Sequence, residues 1–327
     1  MGDMWLEGMA IGAGSQNVAI QYCMPYPNMI MTASKHTSVV TNARASHDYG
    51  PDKVENWAIG MTSLFYWALG ILPMKDAFYS STLRQEGGFP EGPETRPDLQ
   101  ALISTLSCSM VGPADGMNFM NATRINSVCR SDGYILKPDR PLRTSDVCFY
   151  VDPSASDDLK ADHDPTTCYT YLTHSDIPGM GRVTYLFAND TDKIVTPAMA
   201  HLSDAPNDKY AVYNWYTRDL ELLEDFTILA PGYEGHGYAI ISPILDGGWV
   251  FLGEVDKFVP ASRFRFSKVS SDDGVLNIAA SGVPGEQIRV CAAQSMDLKA
   301  IQCKSMTFGP TLSHNLSFET AHLVSQS

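Results

Sequence analysis

The chain has 327 residues, of which 44% are hydrophobic and 18% charged, which suits about two folded domains and excludes a disordered chain. A formal net charge of −14, with no basic run anywhere, excludes the clustered Lys and Arg that nucleic acid requires. No apolar run reaches the roughly 18–20 residues needed to cross a bilayer, so no membrane span is expected.

The N-terminal MGDMWLEGMAIGAGSQ has no basic segment leading into an apolar core, so no secretory signal is expected in it, and Leu6 breaks the myristoylation pattern. NVAIQYCM (17–24) and VVTNARAS (39–46) read as strands, and WAIGMTSLFYWALGI (57–71) as a buried helix. KDAFYSS (75–81) reads as a short strand. DLQALISTLSCSMVG (98–112) begins helix-like and ends strand-like, and MNFMNATRINSVCRSDG (117–133) has helical spacing with Gly133 placed to end it. Strands alternating with helices predict about four parallel βα units over residues 1–150. After a polar linker at 151–164, strand signals recur at short spacing through 165–327, which predicts an antiparallel β-sandwich. Trp249, Phe251 and Phe258 alternate as sandwich core would.

The stretch VVTNARASHDYGP (39–51) runs from an apolar strand into a polar turn. Alternation would place Val40, Asn42, Arg44, Ser46 and Asp48 on one face if the strand continued that far. A row of arginine, serine and acid at a strand's mouth suits sugar binding, while Asp and Gly are also ordinary turn residues.

The seven cysteines contain no CxxC pair, which argues against a zinc or thioredoxin-like motif, and the odd count leaves at least one thiol unpaired in the chain. Cys291 and Cys303 lie in a hairpin-like segment that could carry a disulfide, and Cys23 reads as a buried core thiol. Asp162, His163, Asp164 and His174 fit no standard metal spacing, so no metal is expected. Sequons begin at Asn121, Asn189 and Asn315 as candidate glycosylation sites.

Two blocks, IQYCMPYPNMIMTASKHTSVVTNARASHDYGP with WAIGMTSLFYWALGILPMKDAFYSS, and STLSCSMVGPADGMNFMNATRINSVCRSDGYILKPDRPLRTSDVCFYVDP, share a motif order with a known enzyme family. Over residues 17–153 the chain resembles the second half of the catalytic barrel of raffinose synthases and related family 36 glycoside hydrolases, in the α-galactosidase clan. The resemblance implies an α/β plus all-β fold: the second half of a (β/α)8 TIM barrel followed by a C-terminal antiparallel β-sandwich. It implies a carbohydrate substrate, no metal or organic cofactor, and a retaining mechanism with two carboxylates. On this resemblance Asp48 is the acid/base and Asp115 matches a substrate-binding acid. Arg44, on the same face as Asp48, could bind sugar hydroxyls or stabilise the ionised acid, and Asp139 and Asp146 in LKPDRPLRTSD read as bracing the passage from barrel to β-domain. Asp115 could equally cap the following helix.

The family's nucleophile motif, Lys-x-Asp on the fourth barrel strand, has no counterpart before residue 17. The chain is therefore expected to be the later part of a longer protein, secreted or lysosomal, needing its missing barrel half or self-association. The alternative is a non-catalytic carbohydrate-binding or structural secreted protein that keeps the fold.

Overall fold

A computed structural model describes residues 2–51, 59–85, 92–146, 170–189, 194–195, 202, 210–223, 227–228, 235–311 and 313–319. The expected linker and the residues Asp162, His163 and Asp164 lie outside the described residues.

The first part is a three-stranded parallel sheet in the order β1 (Ile20–Tyr22), β2 (Val40–Arg44), β3 (Leu72–Met74). Gln21 stands opposite Asn42, and Ala43 opposite Pro73. Helix α1 (Gly2–Ser15) precedes it, α2 (Pro27–Ala33) links β1 to β2, and α3 (Gly60–Ala68) links β2 to β3. Helix α4 (Pro97–Leu106) and the short α5 (Ala122–Asn126) follow. Leu6, Tyr22, Ile30, Val40, Ala43, Tyr66 and Ile71 form the core beneath the strands.

The expected half-barrel appears only as this sheet, and no closed barrel forms among the described residues. A fourth strand is reduced to one parallel bridge between Phe78 and Pro113. The strand expected at 75–81 is displaced to Leu72–Met74. Its cause is Asp76, whose carboxylate accepts the backbone N–H groups of Ala77 and Tyr49 and so draws the chain into a turn. Likewise the helix expected over 117–133 shrinks to Ala122–Asn126, capped by Asn121 Oδ1 from the Arg124 N–H at 3.0 Å.

The rest is antiparallel. One six-stranded sheet runs β4-β5-β6-β11-β8-β9, built from Arg143–Thr144, Thr170–Ile177, Gly181–Asn189, His236–Pro243, Tyr210–Asn214 and Leu220–Leu222. A two-stranded ribbon pairs β7 (Ile194–Val195) with β10 (Thr227–Ile228). Two three-stranded sheets complete the chain: β12 (Trp249–Gly253), β15 (Gln287–Gln294) and β16 (Asp297–Thr307) in one, β13 (Phe266–Asp272), β14 (Val275–Ser281) and β17 (Ser313–Glu319) in the other. They face each other across Phe251 on Phe266, 5.0 Å between centroids, and Trp249 on Phe318, 6.0 Å. Trp249 and Phe251 are fully buried here, whereas Phe258, equally buried, follows β12 outside any strand and packs on Trp215, 5.1 Å between centroids, so it does not alternate with them as expected. A disulfide joins Cys291 and Cys303, directly opposed on β15 and β16.

Glycine is required where parts close on each other. A Cβ on Gly60 would lie 2.2 Å from the Tyr171 ring, so α3 sits on β5 only without a side chain there. Gly253 ends β12 at φ 73°, where a Cβ would lie 2.1 Å from the Pro260 carbonyl oxygen.

Two buried histidines make the fold acid-sensitive. His236 on β11 packs beneath the Phe187 ring and bonds the Tyr216 hydroxyl through Nε2, with Nδ1 unpartnered among the described residues. Burial first, then the Arg96 charge, lowers its pKa to about 3, and burial and Arg182 lower that of His174 to about 4. Both folded values lie below the unfolded one, so the unfolded chain takes up protons first. Stability is then full above about pH 6.5 and falls as pH drops toward the folded values. At pH 4.5, His236 alone should cost about 2–3 kcal/mol relative to pH 7. Denaturant unfolding at the two pH values measures it, and His236→Gln should flatten the difference; an unchanged slope in that variant would assign the acid loss to other groups.

Candidate functional site at the strand ends

The C-terminal ends of parallel strands are where side chains from successive strands converge, because the loops there open onto one face. β2 ends at Arg44, and β3 is followed at once by Lys75 and Asp76. The Arg44 guanidinium, mostly buried, holds Asp48 through Nη2 at 2.6 Å and Asp76 through Nη1 at 3.0 Å. Burial opposes its charge, but Asp76 and Asp48 more than offset this and hold the pKa above its ordinary value. Arg44 Nε is buried with no hydrogen-bond partner among the described residues. The Tyr66 hydroxyl donates to the Arg44 carbonyl and fixes the strand end from α3.

Asp76 is saturated. Its Oδ2 accepts from Arg44 and the Tyr49 N–H at 2.8 Å, and its Oδ1 from the Ala77 N–H at 2.9 Å. The Asp76 N–H in turn donates to Ser46 Oγ at 2.8 Å. A carboxylate bound this way orients the turn and the arginine. Asp48 differs: its side chain is 69% exposed. The partial burial expected of a proton donor is absent, because β2 stops at Arg44 and the following turn lifts residue 48 into solvent. The expected single face reaching Ser46 and Asp48 therefore ends four residues early, and Ala43 is buried alongside Val40 and Asn42, since both faces of β2 are covered.

Behind this pair lies a buried polar layer that the sequence did not reveal. The Tyr49 hydroxyl donates to Glu94 Oε2 at 2.8 Å and accepts the Tyr79 N–H. Burial, followed by Glu94, pushes the Tyr49 phenol well up. Lys75, 1% exposed, lies 5.3 Å over the Tyr49 ring and 5.5 Å over Phe78. Burial lowers its pKa to about 7, against the pull of Glu94 and Asp76. The one available signal was Lys-Asp set between apolar residues directly after a strand.

Asp115 accepts the Ser80 N–H with both oxygens at 2.9 Å, and Gln85 Nε2 at 2.9 Å. It braces the loop after β3 and does not cap α5, whose N-cap is Asn121. Arg44 and Asp48 are brought together; Asp115 joins them through the 76–80 segment and not by direct contact. Cys23 is exposed one residue beyond β1, on the edge strand, so the expected buried thiol is corrected. Asp139 and Asp146 lie elsewhere: Asp139 pairs with Arg263 at 2.6 Å and accepts the Asp176 N–H, and Asp146 pairs with Arg143. Asn315 is exposed on β17, Asn121 is half-buried as the helix cap, and the side chain of Asn189 lies outside the described residues. Among the described residues no group of three His, Cys, Asp or Glu is arranged to hold a metal, and no helix is long and apolar enough to cross a membrane.

No family model and no curated protein matches the chain. Among solved structures, the isomalto-dextranase of Arthrobacter globiformis T6 complexed with panose aligns over 98% of this chain and 62% of its own, at TM-score 0.41 and 11% identity. The chain thus spans less than two thirds of that protein's length, and no residue role is carried over from it.

Proposed function

We propose that this chain forms part of a carbohydrate-active enzyme, a glycoside hydrolase or galactosyl-transfer protein acting on α-glycosides. The observation that supports it best is the placement of an exposed acid, Asp48, on a buried arginine at the C-terminal ends of parallel strands. In this reading Asp48 is the proton donor and later the base. Arg44 and Asp76 hold it in place, and a sugar seated over it would supply the burial that the free site lacks. Asp115 shapes the neighbouring wall. In this reading the nucleophile comes from a strand outside these residues, and Asp76, the other carboxylate on Arg44, is committed to the arginine and to the Tyr49 and Ala77 N–H groups. Exposed Met4, Trp5 and Ile11 on α1 are the surface such strands would cover. The disulfide and sequons fit a secreted or lysosomal parent.

The second reading is a carbohydrate-binding protein without catalysis, favoured by the exposure of Asp48 and its pairing with Arg44. The test is direct. The purified chain, assayed against aryl α- and β-galactosides, glucosides and raffinose, is expected to show no sustained turnover. A general acid alone supplies about 10²–10⁴-fold, far short of an enzyme's whole acceleration. Sustained turnover that vanishes in Asp48→Ala would mean that a nucleophile operates within the chain, and would overturn this assignment of roles.

A further inference from the structure

A second concavity lies where α3, the 140–143 connection and strands β5 and β6 meet. It encloses about 250 Å³ and none of its lining residues belongs to the Arg44 cluster. Three arginines surround it: Arg140, Arg143 and Arg182. Its inner wall holds Ser63, His174 and Thr184, all buried, and one side is apolar, formed by Leu64, Trp67 and Leu172.

The charge count is uneven. Arg143 pairs with Asp146 at 2.8 Å and Arg182 with Asp176 at 3.0 Å, and both carboxylates are more than half exposed at the rim. Arg140 has no carboxylate partner among the described residues. Among the described residues, the concavity is therefore positively biased on its Arg140 side, in a chain whose net charge is −14.

Two buried polar groups point the same way. Ser63 is 0% exposed and its hydroxyl has no hydrogen-bond partner among the described residues. His174 Nε2 is likewise unpartnered, standing 3.6 Å from Asp176 Oδ2, too far for a hydrogen bond. A buried hydroxyl left unsatisfied costs about 1–3 kcal/mol, which a ligand oxygen would recover.

We propose that this pocket binds a phosphate group, either the free ion or a small phosphomonoester. Arginines reaching in from separate elements match a tetrahedral oxyanion with several acceptor oxygens better than a single planar carboxylate. Ser63 and His174 supply the inner donors. The imidazole is neutral at pH 7, so its tautomer can place N–H toward an anion. Trp67 lines the cavity beside Leu64 and Leu172 and gives an apolar wall for whatever the phosphate carries, and the volume admits a body of about sugar size.

The test uses the full chain in chloride buffer at constant ionic strength, titrated calorimetrically with inorganic phosphate and with glucose 6-phosphate. Saturable binding on the order of 1 mM or tighter is expected for at least one of them. Tighter binding of glucose 6-phosphate assigns the ester, and tighter or equal binding of phosphate assigns the free ion. Arg140→Gln, at an exposed position that should not disturb folding, is expected to weaken binding about 10- to 100-fold. Arg289→Gln, exposed in a different cavity, should leave it unchanged. No saturable binding, or equal affinity in Arg140→Gln and the unaltered chain, would overturn the proposal.

Discussion

Arg265→Ala is expected to destabilise the protein by about 3–5 kcal/mol, the cost of breaking a buried ion pair from one side. Arg265 is 0% exposed and bonded on every edge: Nε to Glu254 at 2.6 Å, Nη1 and Nη2 to Glu286 at 2.8 and 2.6 Å, and Nη1 to the Ser281 carbonyl. Its removal leaves two carboxylates, each under 10% exposed, without their common cation. Burial already raises Glu254 above its ordinary value even with Arg265 present, whereas the bonds from Arg265 and the Ser131 N–H outweigh burial and hold Glu286 below its own. Glu286 also ties the segment after α5 to the sandwich, so the loss should spread across that contact. Urea unfolding measures the effect. The triple change Arg265→Met, Glu254→Leu, Glu286→Leu should recover most of it, because no charge is then left stranded. A single variant that unfolds within 1 kcal/mol of the unaltered chain would show that the triad is solvated and not a fixed part of the core.

The antiparallel half was legible because its strands alternate or run apolar between turn residues. Segments around 170–177, 181–189, 237–243 and 275–281 were all visible for that reason. The parallel half was legible only in outline. β2 and α3 carry long apolar runs, but the chain after β3 is shaped by a side chain: Asp76 turns it, and no periodicity reports that. Within the site, Arg44 and Asp48 stood out because they follow a strand. Asp76, Lys75 and Glu94 did not, since their positions depend on contacts 27 to 45 residues apart. The phosphate pocket was invisible for the same reason: Ser63, Arg140 and Arg182 come together only through the packing of α3 on β5.

If Asp48 donates a proton to a leaving glycosidic oxygen, as proposed, the effect of its loss should depend on how much that oxygen needs the proton. An alkoxide leaving group such as the sugar of raffinose departs poorly without protonation, whereas 2,4-dinitrophenolate departs readily as an anion. Changing Asp48 to Ala in the parent protein should therefore lower kcat/KM for raffinose by about 10²–10⁴-fold. A merely structural or sugar-binding role would act on both substrates alike, since transition-state contacts to the shared galactosyl unit are the same. Arg44→Met, which removes the partner that holds Asp48, should show the same leaving-group dependence, lowering kcat/KM for raffinose more than for the dinitrophenyl galactoside. The decisive measurement is the ratio of kcat/KM for 2,4-dinitrophenyl α-galactoside to that for raffinose, in the parent protein and in its Asp48→Ala variant. The ratio should rise at least about tenfold in the variant; an unchanged ratio, with both substrates slowed equally, would contradict the role given to Asp48.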